Sequence, residues 1–302
     1  FAAAVICAYL ELVTGGLAKL PFSTLNTGFA YTPYLFLFVM LLAGSGFVFS
    51  RIRRNPAFSA RLRRVVICEI ALLVFVGTLS QELFCKGPEI IVFDTGGGVC
   101  VCAKNRTHAM IAEAGGSAYT VSVIRETLRS KGVRKVDALL LSDEAKERSA
   151  NLNRLLDLYA PDYLLTDADC EIRSDTPVSP FSGGVSLRSP ALRAETFTDS
   201  GGKNWERLHC GEADILICPE KGDCALLPED WQSCSAAVVG KEINGISVLN
   251  VGAVIITAKE KNADALGRRL QNLGIRHIYA VSVCGDVTLS VKNGALRIRA
   301  EG

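Results

Sequence analysis

Residues 89–98 read Glu89-Ile90-Ile91-Val92-Phe93-Asp94-Thr95-Gly96-Gly97-Gly98, and this stretch decides the fold class of the second part of the chain. Its first five residues are mostly β-branched or aromatic, which favours a short buried strand. The three consecutive glycines predict a tight turn with an open backbone. We therefore expect a strand that delivers a glycine turn at its carboxyl end.

The residues after this turn predict a layered α/β domain, because strands alternate with a helix. Val121, Ile124 and Leu128 share one face of the predicted helix, and Gly132 ends it. The other predicted elements are strands at Val99–Cys102, His108–Ala112 and Lys135–Leu141, a hairpin turn at Lys104–Thr107 and a second glycine turn at Glu113–Gly116.

The rest of the sequence is consistent with a complete second half of this domain. We predict strands at Ala236–Val239, Ser247–Leu249, Val254–Thr257 and Arg276–Val281, a helix at Ala263–Leu273, and a closing hairpin of Val287–Val291 with Ala295–Arg299. Residues Asp167 to Asn204 are rich in Ser, Thr, Pro and Gly, so we predict either a long loop or a shortened region with eroded strands there.

The segment after the strand Lys135–Leu141 admits two interpretations. Loops at the carboxyl ends of strands often carry the chemistry of α/β domains, and Asp143, Glu144 and Glu147 could hold a hard cation. The structural interpretation is stronger. Ser142 is a good N-cap, and acids next to it suit the positive end of the helix that it would open.

An arginine-rich segment lies upstream, between two apolar stretches. It runs from residue 51 to residue 64 without an acid. The flanking stretches, Pro33–Phe49 and Val65 to about Leu79, are each near the length that crosses a bilayer. Short arginine-rich loops stay in the cytoplasm, so we expect two membrane helices followed by an extracytoplasmic domain. The arginines that set this topology are Arg51, Arg53, Arg54, Arg61, Arg63 and Arg64.

Charge divides the chain at about Lys86. Residues 1–86 carry eight basic and three acidic side chains, and the remaining 216 residues carry 25 basic and 28 acidic ones. We therefore predict a membrane part at 1–86 and one domain with a proper core at 87–302. The nearly balanced charge of this domain predicts no broad basic surface for nucleic acid, so strand binding would need a local patch.

Cysteine is frequent, with eleven residues in the chain. An exported domain could pair them, but the spacings contain no Cys-x-x-Cys knuckle of the kind that binds zinc. We expect most of them to be buried as small apolar side chains. The chain begins at Phe1 inside an apolar run with no basic start, so we expect a piece of a longer polypeptide and no cleaved signal.

With these elements in place, the whole chain resembles the C-terminal third of ComEC-type DNA-internalisation competence proteins. Val92–Gly98 resembles the family's D-x-G-x-G-D turn, Ala112–Gly116 its I-D-A-G-G segment, and Leu20–Ser23 the Leu-Pro turn before its final spans. The resemblance implies α-helical membrane segments followed by an α/β domain of the αββα type, similar to metallo-β-lactamases, in a protein that transports single-stranded DNA.

The chain departs from this family at the metal motif, S-H-x-D-x-D-H-x-G-G. A methyl group offers zinc no lone pair and a guanidinium offers only donors, so Ala145 and Arg148 cannot be ligands. We therefore predict that the zinc expected for the family is not bound and that no catalytic residue is left. The matching positions are Ser142, Asp143, Ala145, Glu147, Arg148, Ala150 and Asn151, and Val99 replaces the acid of the first glycine turn.

Other donors are sparse. The family's later V-x-H-H-G-S loop has no counterpart with histidine at Ile215–Gly222 or Val254–Glu260. The three histidines, His108, His209 and His277, lie far apart in sequence and are more typical of surface or packed residues than of ligands. Two nucleophile and base pairs stay open, Cys218 with His209 and Ser142 with Asp143.

Three hypotheses follow. The first is a multi-pass cell-membrane protein for uptake of single-stranded DNA, with an exported domain that has lost hydrolysis. Its expected partners are membrane lipid, single-stranded DNA, other DNA-uptake components and the N-terminal membrane half of the same protein. The second is an active phosphodiesterase with a carboxylate site at Asp94, Glu113, Asp143 and Glu147. The third is a membrane-tethered interaction module unrelated to DNA.

Overall fold

Two β-sheets packed face to face, with helices on their outer faces, form the part of the chain that the computed structural model describes. That part comprises residues 87–117, 119–142, 146–166, 172, 176–181, 184–189, 192–292 and 295–300, without the side chains of residues 146–150.

The first sheet has eight strands among the described residues, in the order β17-β16-β1-β2-β3-β4-β5-β6. Its central strands β3, β4 and β5 are parallel, and β1 pairs antiparallel with both of its neighbours. The strands are β1 (Glu89–Val92), β2 (Val101–Asn105), β3 (His108–Ala112), β4 (Lys135–Leu141), β5 (Tyr163–Thr166), β6 (Val178–Ser179), β16 (Val287–Lys292) and β17 (Ala295–Ala300).

The second sheet has seven strands in the described part, in the order β15-β14-β12-β10-β9-β8-β7. Strands β10, β12, β14 and β15 are parallel, so their carboxyl ends lie at one edge. The strands are β7 (Ser186–Arg188), β8 (Leu192–Thr198), β9 (Asn204–Cys210), β10 (Ala213–Ile217), β12 (Ser233–Val239), β14 (Asn250–Ile256) and β15 (Ile278–Ala280). A separate short pair joins β11 (Gly222–Asp223) to β13 (Ile243–Asn244).

Helices cover the outer face of each sheet. Helices α1 (Thr120–Ser130) and α2 (Lys146–Tyr159) pack on the first sheet, and α3 (Glu260–Asn272) packs on the second. A short helix, α4 (Val281–Cys284), follows β15, and 3-10 turns lie at Cys224–Leu226, Glu229–Trp231 and Ile246–Val248.

Alternation along the strands builds three apolar layers. In β1, Ile90 and Val92 face the other sheet, whereas Ile91 faces α1 and α2. In β12, Val238 faces the first sheet, whereas Val239 faces α3. Successive strand side chains point to opposite faces, so a strand that is buried on both faces is apolar throughout. The αββα arrangement predicted for residues 87–302 is therefore confirmed in the described part.

Several local predictions are also confirmed. Strand β4 has the predicted bounds, Lys135–Leu141, and α1 buries the predicted face through Val121, Ile124 and Leu128. Cys100 and Cys102 are both buried against the helices, and the cysteines in the described part are free thiols.

Three predictions were wrong. The long loop that was one alternative for Asp167 to Asn204 is wrong, because the described part of this range contains strands β6, β7 and β8, and β8 alternates buried residues with more exposed ones. Ser247–Leu249 lies mostly in a 3-10 turn, which follows the left-handed Gly245 (φ 63°). The strand predicted at Arg276–Val281 is shorter, since the chain turns helical at Val281.

The predicted membrane spans, the arginine loop and the Leu-Pro turn all fall in residues 1–86, outside the described residues. Within the described ranges, none of the helices combines the length and apolarity that a bilayer crossing requires.

Candidate functional site

The two glycine turns of the first sheet pack backbone against backbone. A Cβ atom on Gly98 would lie 2.2 Å from the nitrogen of Gly116 and 2.4 Å from the carbonyl carbon of Gly115. The Gly115 N–H also donates to the Val99 carbonyl oxygen at 2.9 Å. Only glycine allows this approach, so the glycines of the sequence motif bring the ends of β1 and β3 together.

Asp94 and Thr95 shape the first of these turns. The Asp94 carboxylate accepts the Gly96 N–H at 3.1 Å, and the Thr95 hydroxyl donates to the Gly98 carbonyl at 2.7 Å. The Asp94 N–H in turn donates to Asp286 at 2.8 Å. The Asp94 carboxylate is thus used to fold its own loop.

Glu113 is held at the end of β3 in an unusual conformation. Its φ is 59°, a left-handed value that is uncommon outside glycine, and the residue is 3% exposed. Its carboxylate accepts the Ser142 N–H at 2.9 Å and also the Ser142 hydroxyl. The predicted N-cap role of Ser142 depends on residues 143–145, which lie outside the described residues; in the described part the Ser142 side chain binds Glu113.

A buried asparagine ties α2 to the second glycine turn. The Asn151 amide donates to the Ala114 carbonyl at 3.1 Å and to the Ser117 carbonyl at 3.2 Å. The Asn151 side chain is buried, so its amide gives these two carbonyl groups the hydrogen bonds that water would supply at the surface.

A cavity of about 690 Å³ opens where these turns face the carboxyl ends of the second sheet. Gly97, Gly98, Val99, Glu113 and Ser142 line the side of the first sheet. The opposite side contains Glu206 of β9, Cys218 after β10, and lysines from separate loops. A volume of this size is typical of sites for small molecules or parts of larger ligands.

The predicted site residues reach this cavity only in part. Val99 and Glu113 line it, whereas Asp94 is not among its lining residues. Asp143 and Ala145 lie outside the described residues, as do the side chains of Glu147 and Arg148. Of the two carboxylates of the phosphodiesterase hypothesis whose side chains the structure describes, Glu113 lines the cavity and Asp94 does not.

Of the two nucleophile and base pairs, Cys218 with His209 is not formed, and Asp143 of the other pair lies outside the described residues. Ile217 pairs with Glu206 across β9 and β10, so Cys218 lies beyond Glu206 and well along the strand from His209. Contact with the Cys224 thiol, burial and the Cys234 thiol raise the pKa of Cys218 well above its ordinary value. The Ser142 hydroxyl donates to Glu113.

None of the three histidines is among the described residues that line the cavity. His108 Nδ1 lies 2.9 Å from Asp137 Oδ1, and the Ser189 hydroxyl donates to the other oxygen of that carboxylate at 2.5 Å. His209 Nε2 lies 2.9 Å from the Glu195 carboxylate. The backbone carbonyl of His277 accepts the Val254 N–H at 2.9 Å.

The described residues that line the cavity do not fit a zinc site. Zinc takes imidazole, thiolate and carboxylate ligands, usually four in a tetrahedron. Among the described residues, no three His, Cys, Asp or Glu side chains come together closely enough to share a metal ion. Glu113 is oriented toward Ser142, and a Cys218 thiol with a raised pKa keeps its proton, although zinc binds the thiolate.

Comparison with known proteins finds similarity in structure alone. No protein family and no curated protein matches the sequence. The metallo-β-lactamase-fold protein YhfI from Bacillus subtilis is similar with 9% identity and a TM-score of 0.46, over 64% of this chain and 96% of that chain. These are similarities of fold.

Two further solved structures extend the comparison. Zn²⁺-bound PqqB from Methylobacterium extorquens shares 10% identity, with a TM-score of 0.46, over 67% of this chain and 100% of that chain. A metallo-β-lactamase motif mutant from Cronobacter sakazakii shares 12% identity, with a TM-score of 0.39, over 61% of this chain and 85% of that chain.

The sequence analysis missed the wall that the second sheet contributes. Glu206 is 1% exposed and lines the cavity, yet it lies in β9, where the sequence analysis predicted no strand. Lys203, Lys221 and Lys241 also line the cavity, although each is one of many lysines in the sequence. Lys221 and Lys241 follow the parallel strands β10 and β12. A prediction of the parallel pairing of β10, β12 and β14 could therefore have placed these two lysines at the same edge of the sheet.

Proposed function

We propose that this chain is the C-terminal part of a ComEC-type protein that carries single-stranded DNA across the cytoplasmic membrane. The domain at 87–302 guides the strand outside the cytoplasm and does not hydrolyse it. Its partners are membrane lipid, the N-terminal membrane half of the same protein and other DNA-uptake components. No zinc takes part.

One observation supports the loss of hydrolysis most directly. Glu113, the carboxylate at the position of the family's I-D-A-G-G acid, lies in the cavity wall but binds the Ser142 N–H and hydroxyl. A two-metal hydrolase needs its carboxylates and imidazoles free to hold ions that activate water. At the positions of the family's metal motif this chain has Ala145 and Arg148, which cannot be ligands, and Glu113 is engaged by Ser142.

The test uses the purified full chain in detergent, stripped of metal with a chelator. A fluorescent oligothymidylate reports binding by anisotropy, and a denaturing gel reports whether the strand stays intact after addition of Zn²⁺ or Mn²⁺. We expect binding that weakens with salt and an intact strand.

Two results would overturn the proposal. Cleavage in Mn²⁺ that Asp143→Ala abolishes would favour the carboxylate phosphodiesterase. Absence of strand binding together with co-purification of a partner protein would favour the membrane-tethered interaction module.

A further inference from the structure

Four exposed lysines surround the mouth of the cavity. Lys203, Lys221 and Lys241 line it, and Lys259 lies against the glycine turn that forms part of its wall. None of the four forms an ion pair with a carboxylate of the described residues. By contrast, Lys131 pairs with Glu89 at 3.4 Å and Lys135 pairs with Asp162 at 2.6 Å, both away from the cavity.

The topology of the second sheet explains why three of these lysines meet. Strands β10, β12 and β14 are adjacent and parallel, and they end at Ile217, Val239 and Ile256. Lys221, Lys241 and Lys259 follow these ends within a few residues, at the edge where α/β sheets bind ligands. The Lys221 N–H donates to the Glu242 carbonyl at 3.0 Å, which fixes two of the loops together.

Lys259 reaches the first sheet because Gly97 has no side chain. A Cβ atom on Gly97 would lie 2.8 Å from Lys259 Cγ, and the φ of 115° at Gly97 is one that other residues rarely adopt. The Lys259 methylene groups therefore lie over the turn that follows β1. Lysine commonly packs its stem in this way while its ammonium group stays in water.

Acidic side chains also line the cavity, but two of them are buried whereas the lysines are exposed. Glu113 and Glu206 are buried at 3% and 1% exposure, whereas the lysines are exposed. Glu220 is the exposed acid among the lining residues of the described part. Among the described residues the mouth thus presents four ammonium groups and one exposed carboxylate, in addition to the two buried carboxylates.

We propose that this mouth is a metal-independent site for phosphate esters. The identity of the ester as the phosphodiester of single-stranded DNA rests on the proposed function above. Ammonium groups bind phosphate oxygens as mobile point charges and need no fixed geometry. No bond is made or broken at the site. The nearly balanced charge of the domain predicts no broad basic surface, so strand binding would need a local basic patch, and this mouth is such a patch.

The first experiment measures the salt dependence of oligothymidylate binding to the full chain. Lys221→Ala/Lys241→Ala removes two charges at the mouth, and Lys261→Ala/Lys292→Ala removes two exposed charges elsewhere. Each phosphate contact to a single strand adds about 0.7 to the slope of log K against log salt, so the mouth variant should lose about 1.4. Its affinity should fall about tenfold or more, with both values unchanged in the control.

A second variant changes affinity in the opposite direction. Glu220→Gln removes the exposed acid of the mouth, and we expect binding to strengthen by about threefold at low salt because a repulsive charge is lost. Equal melting temperatures of all variants check that the fold is kept.

The second experiment uses inorganic pyrophosphate, a phosphate anion without a nucleic-acid strand. Lysines of the full chain are acetylated with and without it, and mass spectrometry reads each position. Protection of Lys203, Lys221, Lys241 and Lys259, with none at Lys261 and Lys292, supports the site.

The two experiments separate the site from the proposed function. If pyrophosphate protects the four mouth lysines from acetylation but the chain does not bind the DNA strand, the phosphate site is supported and the proposed role in guiding DNA is rejected. Strand binding with the same slope in wild type and mouth variant would reject the site and keep DNA guidance. Failure of both probes would reject both.

Discussion

Glu113 and Ser142 are joined by two hydrogen bonds across the ends of two neighbouring parallel strands. The Ser142 N–H donates to the Glu113 carboxylate at 2.9 Å, and the Ser142 hydroxyl donates to the same oxygen. The Glu113 N–H donates back to the Leu140 carbonyl at 2.8 Å. This arrangement holds a buried carboxylate in the cavity wall through the N–H and the hydroxyl of a single residue.

Replacing Ser142 should therefore weaken the fold. Ser142→Ala removes one donor from a buried carboxylate, and we expect a loss of about 2 kcal/mol in the free energy of unfolding. Urea unfolding of the full chain measures it. Ser130→Ala is the matched control, because the exposed Ser130 hydroxyl donates only to the Thr127 carbonyl. Equal stability of the two variants would contradict the structural role of Glu113.

The packed glycine turns make a second prediction. Gly98→Ala places a methyl group 2.2 Å from the Gly116 nitrogen, so the turns must separate. We expect destabilisation of about 3 kcal/mol or more, with weaker binding of any ligand in the cavity. Gly240→Ala is the control, since Gly240 lines the same cavity but has no atom within 4 Å of an added Cβ. A melting temperature of Gly98→Ala equal to that of the control would reject the close approach.

Cys218 should be a poor nucleophile. Contact with Cys224 and burial raise the pKa of its thiol, so little thiolate exists at neutral pH. Iodoacetamide should label Cys218 slowly in the native chain at pH 7.5 and rapidly in urea at the same pH, as read by mass spectrometry. Fast labelling of the native thiol would instead revive Cys218 as a catalytic candidate.

Asp214 predicts how stability changes in acid. Burial acts to raise its pKa, but hydrogen bonds from Arg207 and Ser235 outweigh this, and the pKa of Asp214 lies below its ordinary value. A lowered folded pKa gives stability that is present above the unfolded pKa of about 3.9 and is lost as pH falls through the folded pKa.

The measurement compares Asp214→Asn with wild type by urea unfolding at several pH values. We expect a loss of about 2 kcal/mol at pH 7 that shrinks below about pH 4. Asp162→Asn should change stability little, because Asp162 and its partner Lys135 are both half exposed. A pH-independent effect at Asp214 would contradict the ion-paired state.

Local sequence signals predicted the elements that depend on local chemistry. The apolar run of Lys135–Leu141, the helical spacing of Val121, Ile124 and Leu128, and the Gly96–Gly98 turn correspond directly to observed features. Each is set by neighbouring residues, through burial on both faces of a strand, one apolar face of a helix, or a positive φ that favours glycine.

The cavity could be predicted only on one side. Glu113 and Val99 were identified because their motifs are continuous in sequence, whereas Lys203, Lys221 and Lys241 come from loops that only the pairing of β9, β10 and β12 brings together. The role of Ser142 was also missed, since an N-cap preference is local but its partner Glu113 lies 29 residues away.

The most direct measurement is the zinc content of the full chain. Protein purified without chelator, equilibrated with Zn²⁺ and then freed of unbound metal is analysed by inductively coupled plasma mass spectrometry. The account predicts far less than one zinc per chain, because Glu113 is bound to Ser142 and no histidine lines the cavity. One or two zinc ions per chain, lost when Glu113 is replaced by Gln, would contradict it.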